Sequence, residues 1–291
     1  MQVVIHAGAH VTDEDKLLKC LIANESLLGE RGVVAPHPTA YRRLIRDILH
    51  AARQEGIGAD TREILLDAME VEEDPARLIL SNPGFFGTPK MAASNGQFYS
   101  SAEARMEIFR RIFPDDEIEL FFAICNPATF LPAILKQTDI ATMPDYLGGT
   151  DPAEMRWSEM IARVREAMPD VPLTVWCNED TPLIWAQLLR EMAGLEALVP
   201  LKGEFTLLRE IMTPAGMTRF ESYLAERPGM TEMQKRRVIA AFLDKFADEE
   251  AIEEELDLPG WTEDLVERLT EIYDDDVHAI GRLPGITLIT P

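Results

Sequence analysis

The chain has 291 residues, 46% of them hydrophobic and 27% charged, and carries a formal net charge of −23. That size and apolar content are enough for one large or two small cores of an ordered globular protein. The negative excess argues against a nucleic-acid backbone or an anionic membrane surface as the main partner, and no apolar run approaches the ~20 residues that span a bilayer.

The amino terminus enters a strand almost at once, Gln2–His6, which leaves no room for a leader and sets the expected location as the cytoplasm. The stretch Val3-Val4-Ile5-His6-Ala7-Gly8-Ala9-His10-Val11-Thr12-Asp13-Glu14-Asp15 then has the layout of a strand, a tight loop and a helix start, followed by a helical run from Lys16 to Gly29. Such a layout holds phosphate against free backbone N–H groups and the positive end of a helix dipole. Here Asp13, Glu14 and Asp15 stand where the anion would sit, with no lysine. Thr12 is expected to cap the helix with Asp15 three residues on, so that the chain supplies its own anions. Imidazole and carboxylate are reasonable metal donors, but no second ligand pair follows His6 and His10, and no metal is expected.

Further strands are expected at Ala76–Ser81, Ile118–Ile124, Pro172–Trp176 and Ile286–Ile289, alternating with amphipathic helices as in a parallel sheet covered on both faces. Asp60-x-x-Glu63, Ser100-x-x-Glu103 and Thr231-x-x-Gln234 have capping-box spacing or close to it; Asp151-Pro152 and Thr181-Pro182 mark helix starts, and Gly194 a helix stop. The longest loop runs from Asn82 to Tyr99. Asn82, Asn126 and Asn178 each stand just past a strand, so their amides are expected to converge with His10 on a neutral polar pocket for a small neutral or zwitterionic ligand. Each Asn also has a plainer reading as a turn or helix-start residue. Cys20, Cys125 and Cys177 are widely spaced and read as buried thiols, and the neighbouring Glu179 and Asp180 oppose a reactive thiolate at Cys177.

From Gly203 the pattern is helical almost to the end, which divides the chain into an α/β core over 1–200 and a mostly helical cap over 201–291 that returns a short strand. Asp244 to Asp276 holds fifteen acids against Lys245 and Arg268, a solvated face or a docking surface for a basic protein partner. Tyr273-Asp274-Asp275-Asp276 reads as a solvated helix turn.

The motif His6-x-Gly8-x-His10-x-Thr12, the Leu-rich helix after it and Gly32-Val33-Val34-Ala35-Pro36 resemble the opening of bacterial P-loop sulfotransferases, which read roughly H-x-G-x-H-K-T-G-T-T. The resemblance implies that Val11 replaces the phosphate-binding lysine, Asp13 the glycine, and Glu14 and Asp15 the two hydroxyl residues. A second segment, Phe121 to Ala133, resembles the family's R-(D/N)-P-x-x-x-x-x-S element, with Cys125 in place of the arginine and Ala133 in place of the serine that grip the 3′-phosphate. The likeness covers the first two-thirds of the chain and thins out beyond Gly194. It implies a P-loop NTPase/sulfotransferase-like α/β fold of four to five strands with a degenerate site and no cofactor. The expected function is a non-catalytic or repurposed binding protein. The alternative is an active sulfotransferase using 3′-phosphoadenosine 5′-phosphosulfate through an atypical site, with a carbohydrate or small metabolite as acceptor, His10 moving the proton and Lys90 as the nominated replacement for the missing basic residues.

Overall fold

The computed structural model describes residues 1–52, 56–71, 73–252 and 258–291. Its strands are β1 (Gln2–His6), β2 (Val33–Val34), β3 (Arg77–Ser81), β4 (Glu117–Ile124), β5 (Leu173–Cys177) and β6 (Ile286–Ile289). All pair in parallel in the order β2-β3-β1-β4-β5-β6. The expected strands are present with ends shifted by at most a residue, and β2 is an addition: two residues are too few to show a period. The nearly unbroken apolar runs of β1, β3 and β4 follow from burial on both faces. Val3 and Ile5 enter one core with Leu78, Leu80, Leu120 and Phe122, while Val4 enters a second core with Ile79, Phe121 and Ala123.

The first core is covered by the helices Pro38–Ala51, Ala102–Ile112, Pro127–Leu135 and Trp157–Ala167, the second by Lys16–Ala23 and Thr181–Ala193. Residues after 200 divide between the two faces. The helices Thr206–Ile211, Pro214–Ala225 and Glu232–Phe246 share a small core of Leu208, Met212, Met217, Phe220 and Ile239. The last helix, Glu263–Ile280, instead sends Tyr273 and Ile280 into the first core.

Several local expectations need correction. The run from Lys16 to Gly29 breaks at Asn24, whose amide donates to the carbonyls of Cys20 (2.7 Å) and Lys202 (2.9 Å) and so ties the break to the segment before the late helices. Thr231 and Gln234 form a reciprocal capping box, whereas Asp60 makes no side-chain cap and the Ala102–Ile112 helix is entered at Ser101 rather than at the expected Ser100. Asp151 opens only the short turn Pro152–Glu154. Asp276 is not a solvated turn residue: it is 4% exposed and accepts from the backbone N–H of Trp157 (2.6 Å) and Ser158 (3.2 Å), capping a neighbouring helix.

β1 lies between β3 and β4; the chain runs from β1 to β2 and β3 on one side and then crosses to β4 on the other. In an open parallel sheet this change of direction leaves a crevice beyond the carboxyl ends of the central strands. The loops after β1 and β3 meet there.

Candidate functional site

The loop after β1 stays anchored to β4 through Ala7 N–H to Phe121 O and Ala9 N–H to Ala123 O, both 3.1 Å. Gly8 has φ +20, and a Cβ on it would lie 3.0 Å from His6 Nε2, so the loop crosses directly over the His6 ring. His6 is buried, with Nδ1 2.9 Å from Ser81 Oγ and the ring stacked on Trp176. Its pKa is lowered by burial, against the opposing influence of Asp13 and Asp15. Val11, Glu14 and Asp15 all have left-handed backbones, φ 57, 49 and 64. For a β-branched valine that conformation is an outlier which surrounding contacts must hold in place.

The three acids have three different fates. Asp13 is buried and its Oδ2 accepts from Leu17 N–H (3.1 Å), so it caps the helix that starts at Lys16; Thr12 does not, because its hydroxyl donates to Ala9 O (2.8 Å). Glu14 is exposed and reaches Lys16 Nζ at 3.2 Å. Asp15 accepts a two-pronged contact from Arg42, Nη1 at 2.8 Å and Nη2 at 2.6 Å, while Arg42 Nε donates to Ser81 O (2.9 Å). The Arg42 hydrogen bonds hold the Asp15 carboxyl below its ordinary pKa.

His10 faces Tyr99. The Tyr99 hydroxyl accepts from His10 N–H (2.9 Å) and lies 2.7 Å from His10 Nδ1. With the backbone N–H donating to the hydroxyl oxygen, the hydroxyl proton is available to Nδ1, and in that tautomer the ring hydrogen sits on Nε2. Burial lowers the His10 pKa to about 4, so the ring is neutral at pH 7.

His10 and Asn82 line a cleft of about 660 Å³ between the Pro38–Ala51 helix and the loop after β3. Its walls also carry Arg42, Arg43, Arg46, Arg105 and His50 around Leu49, Phe85 and Met91, and among the described residues none of its lining is acidic. The neutral polar pocket expected from three asparagines is therefore replaced by a basic cleft that contains only one of them. Asn82 Oδ1 accepts from Gly84 N–H (2.9 Å). Asn126 caps the Pro127–Leu135 helix and donates to Thr270 Oγ1 (2.9 Å), and neither it nor Asn178 lines the cleft. Lys90 lies outside the lining too; it is exposed and 3.4 Å from Asp139.

No protein-family model and no curated protein matches the chain.

Cys125 is buried, its Sγ 3.8 Å from Thr129 Oγ1 and its carbonyl accepting from Trp157 Nε1 (2.8 Å); Ala133 is half-buried in the Pro127–Leu135 helix. At the end of β5, burial pushes the Cys177 thiol up to about 12, and just beyond it Glu179 accepts from Asn126 N–H (2.7 Å) and the Tyr273 hydroxyl (3.0 Å). That cluster latches the last helix to the sheet. Among the described residues no group of three His, Cys, Asp or Glu side chains is placed to hold a metal ion. No helix among them is long and apolar enough to cross a membrane.

The cleft arginines escaped the sequence reading, which looked for a basic replacement only near the loops. The available signal was Arg42, Arg46 and His50 at i, i+4 and i+8, one face of a helix.

Proposed function

We propose that the chain is a sulfotransferase-like protein that has lost binding of 3′-phosphoadenosine 5′-phosphosulfate and serves as a non-catalytic, repurposed binding protein. The observation that carries this reading is the Asp15 carboxylate held on Arg42 at the first loop, with Leu17 N–H taken by Asp13. Donors that would face a phosphate already face carboxylates of the chain itself. At about 5 Å and an effective dielectric near 20, a carboxylate repels a unit of phosphate charge by about 3 kcal/mol. Each tenfold loss of affinity takes only about 1.4 kcal/mol.

The active-transferase alternative asks His10 to accept a proton near neutral pH. A buried imidazole with a pKa of about 4, its Nδ1 engaged by Tyr99, is a weak base for that task. Titration calorimetry of the unmodified chain with 3′-phosphoadenosine 5′-phosphosulfate or the diphosphate product should show no binding tighter than about millimolar, where a dissociation constant corresponds to only about 4 kcal/mol. A Val11→Lys, Asp15→Asn double variant should gain measurable binding. Tight binding or sulfuryl transfer by the unmodified chain would overturn the reading.

A further inference from the structure

The basic cleft extends well beyond the Asp15–Arg42 pair. It lies beside the first loop but is built by the Pro38–Ala51 helix, the loop after β3 and Arg105 of the Ala102–Ile112 helix. The surrounding chemistry makes its sign unexpected: the protein has 51 acids against 28 lysines and arginines, yet among the described residues four arginines and no acid line this cleft. Arg42, Arg46 and His50 repeat every four residues, which at 1.5 Å per residue spreads them along roughly 12 Å of one wall. Arg105 is 4% exposed and lies in the same lining.

Among the described residues the charge on the Pro38–Ala51 helix is only partly answered from within. Arg42 holds Asp15, while Arg43 and Arg46 share one carboxylate, that of Asp47, at 3.9 and 3.2 Å. Three guanidinium groups on this helix thus meet two carboxylates. Arg43 and Arg46 are exposed, at 85% and 60% of their side-chain surface, and Asp47 competes for them only as a weak surface partner. Leu49, Phe85 and Met91 meanwhile give the cleft an apolar floor. Guanidinium forks match the planar oxygen pairs of carboxylate and phosphoryl groups, and an apolar floor wants an apolar body.

We propose that this cleft binds a small organic oxyanion, with a carboxylate or phosphoryl head on the arginines and an aromatic or aliphatic body over Leu49, Phe85 and Met91. His10 presents Nε2–H as a neutral donor to the same head. The assignment rests on the chain being a binding protein and names its ligand class. Asp15 acts as the internal competitor, occupying Arg42 until a ligand oxyanion displaces it.

The test titrates the full chain with phenyl phosphate, benzoate, benzamide and inorganic phosphate in low-salt buffer, read by calorimetry. Phenyl phosphate and benzoate should bind, inorganic phosphate about tenfold more weakly for want of a body, and the neutral isostere benzamide not at all. Arg43→Glu with Arg46→Glu reverses two exposed charges, so the fold should melt unchanged while affinity for both aromatic anions drops at least tenfold. Asp15→Asn should tighten binding several-fold by releasing Arg42. Absence of any anion binding at about 10 mM, benzamide binding as well as benzoate, or full affinity in the double arginine variant would each overturn the assignment. Those results leave the lost-donor reading untouched, since that reading falls only if the sulfate donor itself binds tightly or reacts.

Discussion

His10 separates the two functional readings at the scale of a single side chain. In the unfolded chain its imidazole takes a proton near pH 6.5, and in the fold burial keeps it neutral down to about 4. Between those values the unfolded chain binds the extra proton. Stability is therefore full above pH 6.5 and falls as pH drops toward 4, by roughly 3 kcal/mol for a shift of this size. His6, also lowered by burial, acts in the same direction. Urea denaturation of His10→Gln at steps through this window should show a shallower fall than the parent; an identical slope would mean that His10 is charged in the fold. Sequence alone placed His6 at the end of β1 and His10 in the loop after it but could not show that both would be buried. Burial is decided by Tyr99, eighty-nine residues away, which caps His10 through one hydroxyl.

Individual elements were legible wherever the signal was local. The reciprocal bonds of Thr231 and Gln234 and the left-handed Gly194 at its helix end depend on residues within one turn of each other. The start of the first helix was misread because Thr12 and Asp15 stand three residues apart like a capping box, whereas the Thr12 hydroxyl turns back to Ala9 O. Only the packed loop selects Asp13 and releases Asp15 to Arg42. Asp276 is the reverse case, a residue that looks solvated in its own helix and serves another. Asp276→Ala should cost about 2–3 kcal/mol, because the amides of Trp157 and Ser158 lose a buried charged acceptor. Asp275→Ala, one residue earlier and exposed, should stay within about 0.5 kcal/mol. Chemical denaturation of the pair measures the difference; equal effects would show that the acceptor contributes nothing beyond a surface charge.

At the scale of the whole molecule the charge is lopsided. Fifteen acids between Asp244 and Asp276 face two bases; residues 253–257 of that stretch lie outside the described ones. Among the described residues Arg268 reaches Asp151, at 3.9 Å between exposed side chains. Repulsion within a Debye length of about 8–10 Å is screened by added salt, so the melting temperature should climb as sodium chloride rises from low to moderate concentration. Each 1 kcal/mol of repulsion relieved raises it by about 2–4 °C in a protein of this size class. A flat or falling curve would show the acids already paired.

What the sequence determined by itself was whatever depends on short-range pattern. Apolar runs of strand length alternating with amphipathic helices specify a parallel α/β sheet, because only burial on both faces accommodates strands of that composition. The acidic run Asp13-Glu14-Asp15 at the start of the first helix, with no lysine in the loop before it, was equally visible. The tertiary structure alone decided the sign of the site. Net charge is a sum over the chain, whereas a cleft samples only the few side chains that packing brings to one place. Strand order sets the Pro38–Ala51 helix beside the loops after β1 and β3, and so gathers four arginines from two helices into one wall of an otherwise acidic protein.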